Sequence, residues 1–219
     1  MTPSTHSPTT RQPIRASSQA LPLALLALAL WLPAVSAQAR SHDYQIDPVH
    51  SRIVVRAEHL GFSKAQGTLS GPTGWLRFDP KDLASAQVEV TLDLSRVDFG
   101  DAKWNQKLAG RTWLDQSKHP QARFVSERIE PIDNKRFVVH GQLSFRGQTR
   151  PVQLDVTFNR LARHPLTLKR TAGFSATATL SRAAFEMDAW KSMVSDEIEL
   201  LIEVEALRKR RPKSTDTHP

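Results

Sequence analysis

The chain has 219 residues and no cysteine. That excludes disulfides, thiolate metal ligands, a thiol nucleophile and the acylated cysteine of a bacterial lipoprotein. Glycine is sparse, nine residues scattered over turns and strands. No glycine-rich loop stands ready to cradle a phosphate. The histidines His50, His59, His119, His140 and His164 show no H-x-x-H or H-E-x-x-H spacing. An isolated inward histidine such as His59 is more often a hydrogen-bonded structural group than a metal ligand, so no metal is expected. There is no G-x-S-x-G elbow, and no carboxylate pair stands out as an acid–base couple. The chain is therefore not read as an enzyme. No apolar run reaches the ~20 residues of a membrane-spanning helix.

Acidic residues are also missing where they matter. The net charge is +8 and the pI about 10.2, which in a whole domain would suggest nucleic acid. Residues 1–39 hold Arg11, Arg15 and no acid. The segment after Leu207 holds Arg208, Lys209, Arg210, Arg211 and Lys213 against Asp216 alone, so the body between carries only +2. The basicity belongs to the ends, and nucleic acid is not expected. The tail has two readings, a solvated disordered segment and a contact for anionic lipid headgroups.

Residues 1–39 read as a cleavable secretory signal. A Ser/Thr/Pro-rich start with two arginines precedes the apolar run Ala20–Val35, which ends in the small-residue sites Val35-Ser36-Ala37 and Ala37-Gln38-Ala39. Export to the periplasm follows from that reading.

What remains is mostly strand. Phe137, Val139, Gly141, Leu143 and Phe145 alternate with polar neighbours, as do Val152, Leu154, Val156 and Phe158. The polar stretch Arg146–Pro151 between them predicts a hairpin. Tyr44–Ile46 leads into a turn at Asp47-Pro48, and Ile53, Val55 and Ala57 share one face of the next strand. Lys64–Ser70 and Thr73–Phe78 read as a second hairpin through Gly71-Pro72. The strands Gln87–Leu94, Ala122–Ile132, Thr171–Ser181 and Glu197–Leu207 alternate in the same way. Asp101–Leu108 breaks the rhythm as a short helix, with Asp101 as N-cap and Trp104 and Leu108 four apart. It should lie over one end of the sheet.

About eight alternating strands with no βαβ rhythm predict an all-β antiparallel barrel or sandwich with one short helical insert. An eight-stranded barrel has room for side chains or for one small ligand. Periodicity does not separate a filled interior from a hollow one, and most inward residues must pack an ordinary core. The candidate apolar lining is Val55, Leu76, Phe78, Val90 and Leu92 from the first strands. Leu143, Leu154, Val156, Phe158 and Phe174 continue it. Phe62 lies beside a strand, and Leu108, Trp113, Phe185 and Trp190 lie in the irregular segments that would cover a mouth.

The order of several short stretches resembles a known family. These are Tyr44-Gln45-Ile46-Asp47-Pro48-Val49-His50-Ser51, Glu58-His59-Leu60-Gly61-Phe62-Ser63-Lys64, Phe78-Asp79-Pro80, Trp113-Leu114-Asp115 and Lys118-His119-Pro120. Gly141–Val152, and Ser181-Arg182 with Phe185, complete the series. The resemblance is to the YceI-like bacterial periplasmic proteins, over about Asp43–Leu207. It implies an extended eight-stranded lipocalin-like barrel holding a polyisoprenoid chain, such as an isoprenoid quinone, in an apolar tunnel. No cofactor is implied beyond that lipid. Where the family commonly has Arg-Asp-x-His-Leu before Phe-Phe-Asp, this chain has Trp104-Asn105-Gln106-Lys107-Leu108 and Trp113-Leu114-Asp115. The resemblance therefore carries no headgroup recognition over to those positions, and a different ligand is compatible with it. The chain then divides into a leader (1–39), a lipid-binding barrel (40–207) and a basic disordered tail (208–219). Its expected partners are a lipophilic small molecule, the membrane surface through the tail, and a second copy of the chain. Two rival functions stay open: capture of other lipophiles such as antibiotics or stress-generated amphiphiles, and lipid modification using His59 or Asp98.

Overall fold

The computed structural model describes residues 41–212. The expected leader and residues 213–219 lie outside the described residues. The first strands are β1 (His42–Ile46), β2 (Arg52–His59), β3 (Ser63–Ser70) and β4 (Thr73–Phe78). β5 (Gln87–Asp93) and β6 (Val97–Asp98) precede the helix α1 (Ala102–Ala109). Then come β7 (Gln121–Pro131), β8 (Arg136–Phe145), β9 (Gln148–Arg163), β10 (Arg170–Ser181) and β11 (Val194–Arg208).

All pairings are antiparallel, and β1 closes on β11. β1 and β2 both run along β11, at Tyr44–Ile46 against 206–208 and Arg52–His59 against 194–203. They form one bent stave. β3 pairs with β2 while β4 pairs with β1, so these two form a second bent stave. β5 and β6 form a third, against β4 and β3 respectively. Five unbroken strands, β7 to β11, complete an eight-staved up-and-down barrel. The expected hairpin through Gly71-Pro72 is thus corrected. The chain bends there, with Gly71 at φ 67°, and does not reverse. A Gly-Pro pair reads the same in either case.

The breaks are locally satisfied. Across the β1–β2 break, the hydroxyl of the buried Ser51 donates to the Glu205 carbonyl at 3.2 Å and accepts from its amide at 3.1 Å. The predicted hairpin forms as β8–β9, but its turn is tighter than read. Phe145 already pairs with Gln148, leaving only Arg146 (φ 50°) and Gly147 (φ 75°) as a type I′ pair. Pro151 sits inside β9, opposite Gln142. β9 and β10 pair only from Asp155↔Thr177 onward, in keeping with a proline that has no amide to give a second neighbour.

One end of the barrel is closed. Phe78 stacks on Phe158 and Phe174 at centroid distances of 4.9 and 5.0 Å. Tyr44 and Leu83, both buried, join this floor. The other end carries α1, capped by Asp101, whose carboxylate accepts from the Trp104 amide at 2.8 Å. The tail does not leave the barrel at Arg208 as expected. The Lys209 amide donates to the Asp43 carbonyl at 3.1 Å, and Arg211 bonds Glu89 at 2.7 Å.

Candidate functional site

Alternation along each stave sends one apolar set inward, and the inward sets do not meet. They enclose a cavity of about 500 Å³ that opens at the α1 end. That is within the ~300–1,000 Å³ usual for a small-molecule site. Its deep wall is aliphatic and aromatic. Ile53 and Val55 come from β2, Val88, Val90 and Leu92 from β5, and Val139 and Leu143 from β8. Val152, Leu154 and Val156 of β9, Ala176 of β10 and Ile198, Leu200 and Ile202 of β11 complete the wall. Ala176 on β10 leaves room in the bore, where a larger side chain would narrow it.

Thirteen of the fifteen expected lining residues stand on this wall. Val55, Leu76, Val90, Leu92, Leu143, Leu154 and Val156 form its sides, and Phe78 and Phe174 its floor. Leu108, Trp113, Phe185 and Trp190 stand at the mouth. Two do not. Phe62 projects from the β2–β3 turn, 87% exposed, because the turn residues Leu60 (φ 54°) and Gly61 (φ 72°) carry it past the strand end. Phe158 lies behind the floor, packed on Phe78 and Phe174. A bulge at Gly173/Phe174 shifts the β9–β10 register there, which period-2 reading does not register. Phe99 was not anticipated. It lines the cavity and packs over Gly67 of β3, where any side chain would run into its ring. The signal was a glycine breaking the inward run Ala65, Gly67, Leu69.

Polar residues on the lining gather at the two ends: Glu58, His59, Lys107 and Arg182 at the mouth, and Arg77, Gln87 and Glu203 beside the floor. Lys107 Nζ lies 5.4 Å from the Trp190 ring centre, a cation–π contact that ties α1 to the 182–193 loop. Arg182 is only 2% exposed. Its guanidinium donates to the carbonyls of Ser195 (2.9 Å), Ala189 (2.8 Å), Val194 (2.9 Å) and Met187, and stacks 5.5 Å from the Trp113 ring centre. Arg146 does similar work from the β8–β9 turn. It reaches the carbonyls of Phe185 (2.9 Å), Glu186 (2.6 Å) and Arg111 (3.0 Å). Between them these cations hold a loop with two left-handed residues, Glu186 (φ 61°) and Trp190 (φ 58°). Such backbone costs energy and persists only where its surroundings fix it. The lid is therefore pinned, not loose.

The YceI-like domain model matches residues 44–206, nearly the whole described chain. The chain belongs to the YceI-like family. A UPF0312 protein of Pectobacterium carotovorum is 31% identical over 188 residues, spanning 86% of this chain and 97% of that one. The crystal structure of BcnA from Burkholderia cenocepacia superposes with TM-score 0.66 at 25% identity, covering 73% of this chain and 98% of BcnA. A polyisoprenoid-binding domain from Saccharophagus degradans shares the fold, with TM-score 0.58 at 11% identity, covering 76% and 98%.

The α1 region has a structural role in this barrel. Asn105 donates to Asp98 at 2.8 Å and accepts from the Phe99 amide at 2.8 Å, fastening α1 to β6. Hydrogen bonds from Asn105 and the Gly100 amide hold the Asp98 carboxyl below the usual aspartate range. Asp98 is exposed and off the cavity wall, which removes it from the polar groups read as facing inward. His59 does reach the mouth, where it pairs with Val194 across β2–β11. Among the described residues, no three His, Asp or Glu side chains converge on a metal site.

Proposed function

We propose that this protein carries one long apolar lipid of the polyisoprenoid kind in the barrel, after export to the periplasm by residues 1–39. The observation that carries the reading is the wall. All eight staves contribute apolar side chains to one continuous cavity, and its few charged lining residues sit at the two ends. An apolar chain entering it is driven by burial at about 25 cal/mol per Å², less the cost of association. The shared fold of a domain described as polyisoprenoid-binding supports the same ligand class.

The test is recovery of cargo. Protein purified from the periplasm is weighed by native mass spectrometry, then extracted and its lipids identified. A stoichiometric isoprenoid adduct is expected. Leu154→Trp, which places an indole in mid-bore, should remove most of that adduct while the melting temperature stays within a few degrees. A barrel that returns empty and takes up no added isoprenol would overturn the reading. Equal uptake of unrelated lipophiles would replace it with general capture.

A further inference from the structure

The β9–β10 hairpin runs on past the aromatic floor, with pairs from Arg160↔Gly173 to Arg163↔Arg170. Its tip is rigid. The His164 amide donates to the Lys169 carbonyl at 2.8 Å, and the Leu168 amide to the His164 carbonyl at 2.8 Å. His164 Nδ1 accepts from the amides of Leu166 and Thr167, both at 3.3 Å. This tip presents Leu166 and Leu168 to solvent, 88% and 64% exposed. From Asn159 to Arg170 the chain carries Arg160, Arg163, Lys169 and Arg170 and no acid. All four are exposed, and none makes an ion pair with a described residue.

Strand register enlarges the patch. Thr171 pairs with Leu207, which sets Arg208 beside Arg170, with Lys209 and Arg210 following it along the chain. The side chains of Arg208 and Lys209 bond His42 and Gln45, and the nearby acid on β1, Asp43, is paired with Arg77 at 3.3 Å and accepts from the Arg211 amide at 3.3 Å. Glu205, opposite Gly173, is the acid that the register brings nearest to Arg160. The closed end thus joins seven cations, against Asp43 and Glu205 as the nearby acids, to two exposed leucines. Two such faces would repel one another, which argues against a second copy of the chain. Polyanions without an apolar phase give the leucines nothing to bury in. A bilayer with anionic headgroups satisfies both: cations meet phosphates while the leucines enter the acyl boundary.

We propose that the β9–β10 tip and the adjoining start of the tail dock the closed end of the barrel on an anionic membrane. The mouth then points away from that surface. This inference does not depend on what fills the cavity.

The experiment is flotation of purified protein, its processed N-terminus verified by mass, with phosphatidylcholine vesicles containing or lacking phosphatidylglycerol. Binding should require the anionic lipid and weaken as salt rises. Arg163→Gln with Arg170→Gln should weaken it roughly fivefold per cation. Leu166→Ser with Leu168→Ser should weaken it further, with melting temperatures unchanged because these side chains are exposed. Phe62→Ser at the opposite end should leave binding intact. Equal binding to neutral vesicles, insensitivity to both hairpin pairs, loss with Phe62→Ser, or full displacement by duplex DNA would each overturn the proposal. The salt dependence on the unaltered protein decides the matter if a variant fails to fold.

Discussion

Tyr44 shows how much the barrel floor demands of single residues. It is fully buried among Phe78, Ala172 and Ala206, and its hydroxyl finds no partner among the described residues. A buried polar group left unbonded costs about 1–3 kcal/mol. Burial also pushes the phenol pKa above its ordinary 10, against the lowering pull of Arg208 and Arg170. The folded state therefore holds the proton more tightly than the unfolded state. That contribution is fully present below pH 10 and is lost as pH rises through the folded value. Tyr44→Phe keeps the ring and drops the hydroxyl. It should raise the urea midpoint at pH 7 and make unfolding less sensitive to alkali above pH 10. A lower midpoint with unchanged slope would mean that the hydroxyl is satisfied after all. Residues like this are partly legible in sequence: the alternation of β1 puts Tyr44 inward, but only tertiary packing shows that nothing meets its oxygen. The lining residues were easier. Leu154 and Val156 declare their face by period two, whereas Phe62 looks equally apolar and points into solvent because its turn, not its strand, directs it.

Elements read well where their signals are local and badly where their partners are distant. The β8–β9 hairpin announces itself by alternation on both sides of Arg146-Gly147. The Gly71-Pro72 bend does not, because only the pairing of β3 with β2 and of β4 with β1 distinguishes a bend from a reversal. The tail is the sharpest case. Its composition reads as disorder, yet Arg211 is held by Glu89, which also pairs with Arg123 at 2.8 Å. Those two guanidiniums, Arg123 first, hold the Glu89 carboxyl below the usual glutamate range. The sign follows from that depression: the clamp is present above the ordinary glutamate pKa and is lost as pH falls through the folded value. Glu89→Gln should release residues 209–212 at neutral pH, read as faster amide exchange at Arg211 while β5 and β7 stay protected. The unaltered protein should show the same release on acidification. If Arg211 exchanges equally slowly in both proteins, the bonds from the tail backbone to Asp43 carry the attachment alone.

At the scale of the whole molecule, three bent staves and five unbroken ones leave a bore that sequence alone could not tell from a packed core. The decision lies in bulk summed around the barrel: Ala176 on β10, Gly67 under Phe99, and the bulge that sends Phe158 behind the floor. A closed floor and a pinned lid make the bore a fixed length, and a fixed length has a measurable consequence. Isoprenols of increasing chain length should bind more tightly with each added unit, by up to about 0.8 kcal/mol per buried methylene. Affinity should then level off once the chain reaches from Phe78 to the ring of Trp104, Trp113 and Trp190, because further units remain in water. The heat-capacity change should be negative and stop growing at the same length. Leu154→Trp divides the bore, so its plateau should fall at a shorter chain. Titration calorimetry across the series decides this. An affinity independent of length, or one that climbs without a plateau, would mean that the lipid lies against the outside of the barrel and that the cavity is not its seat.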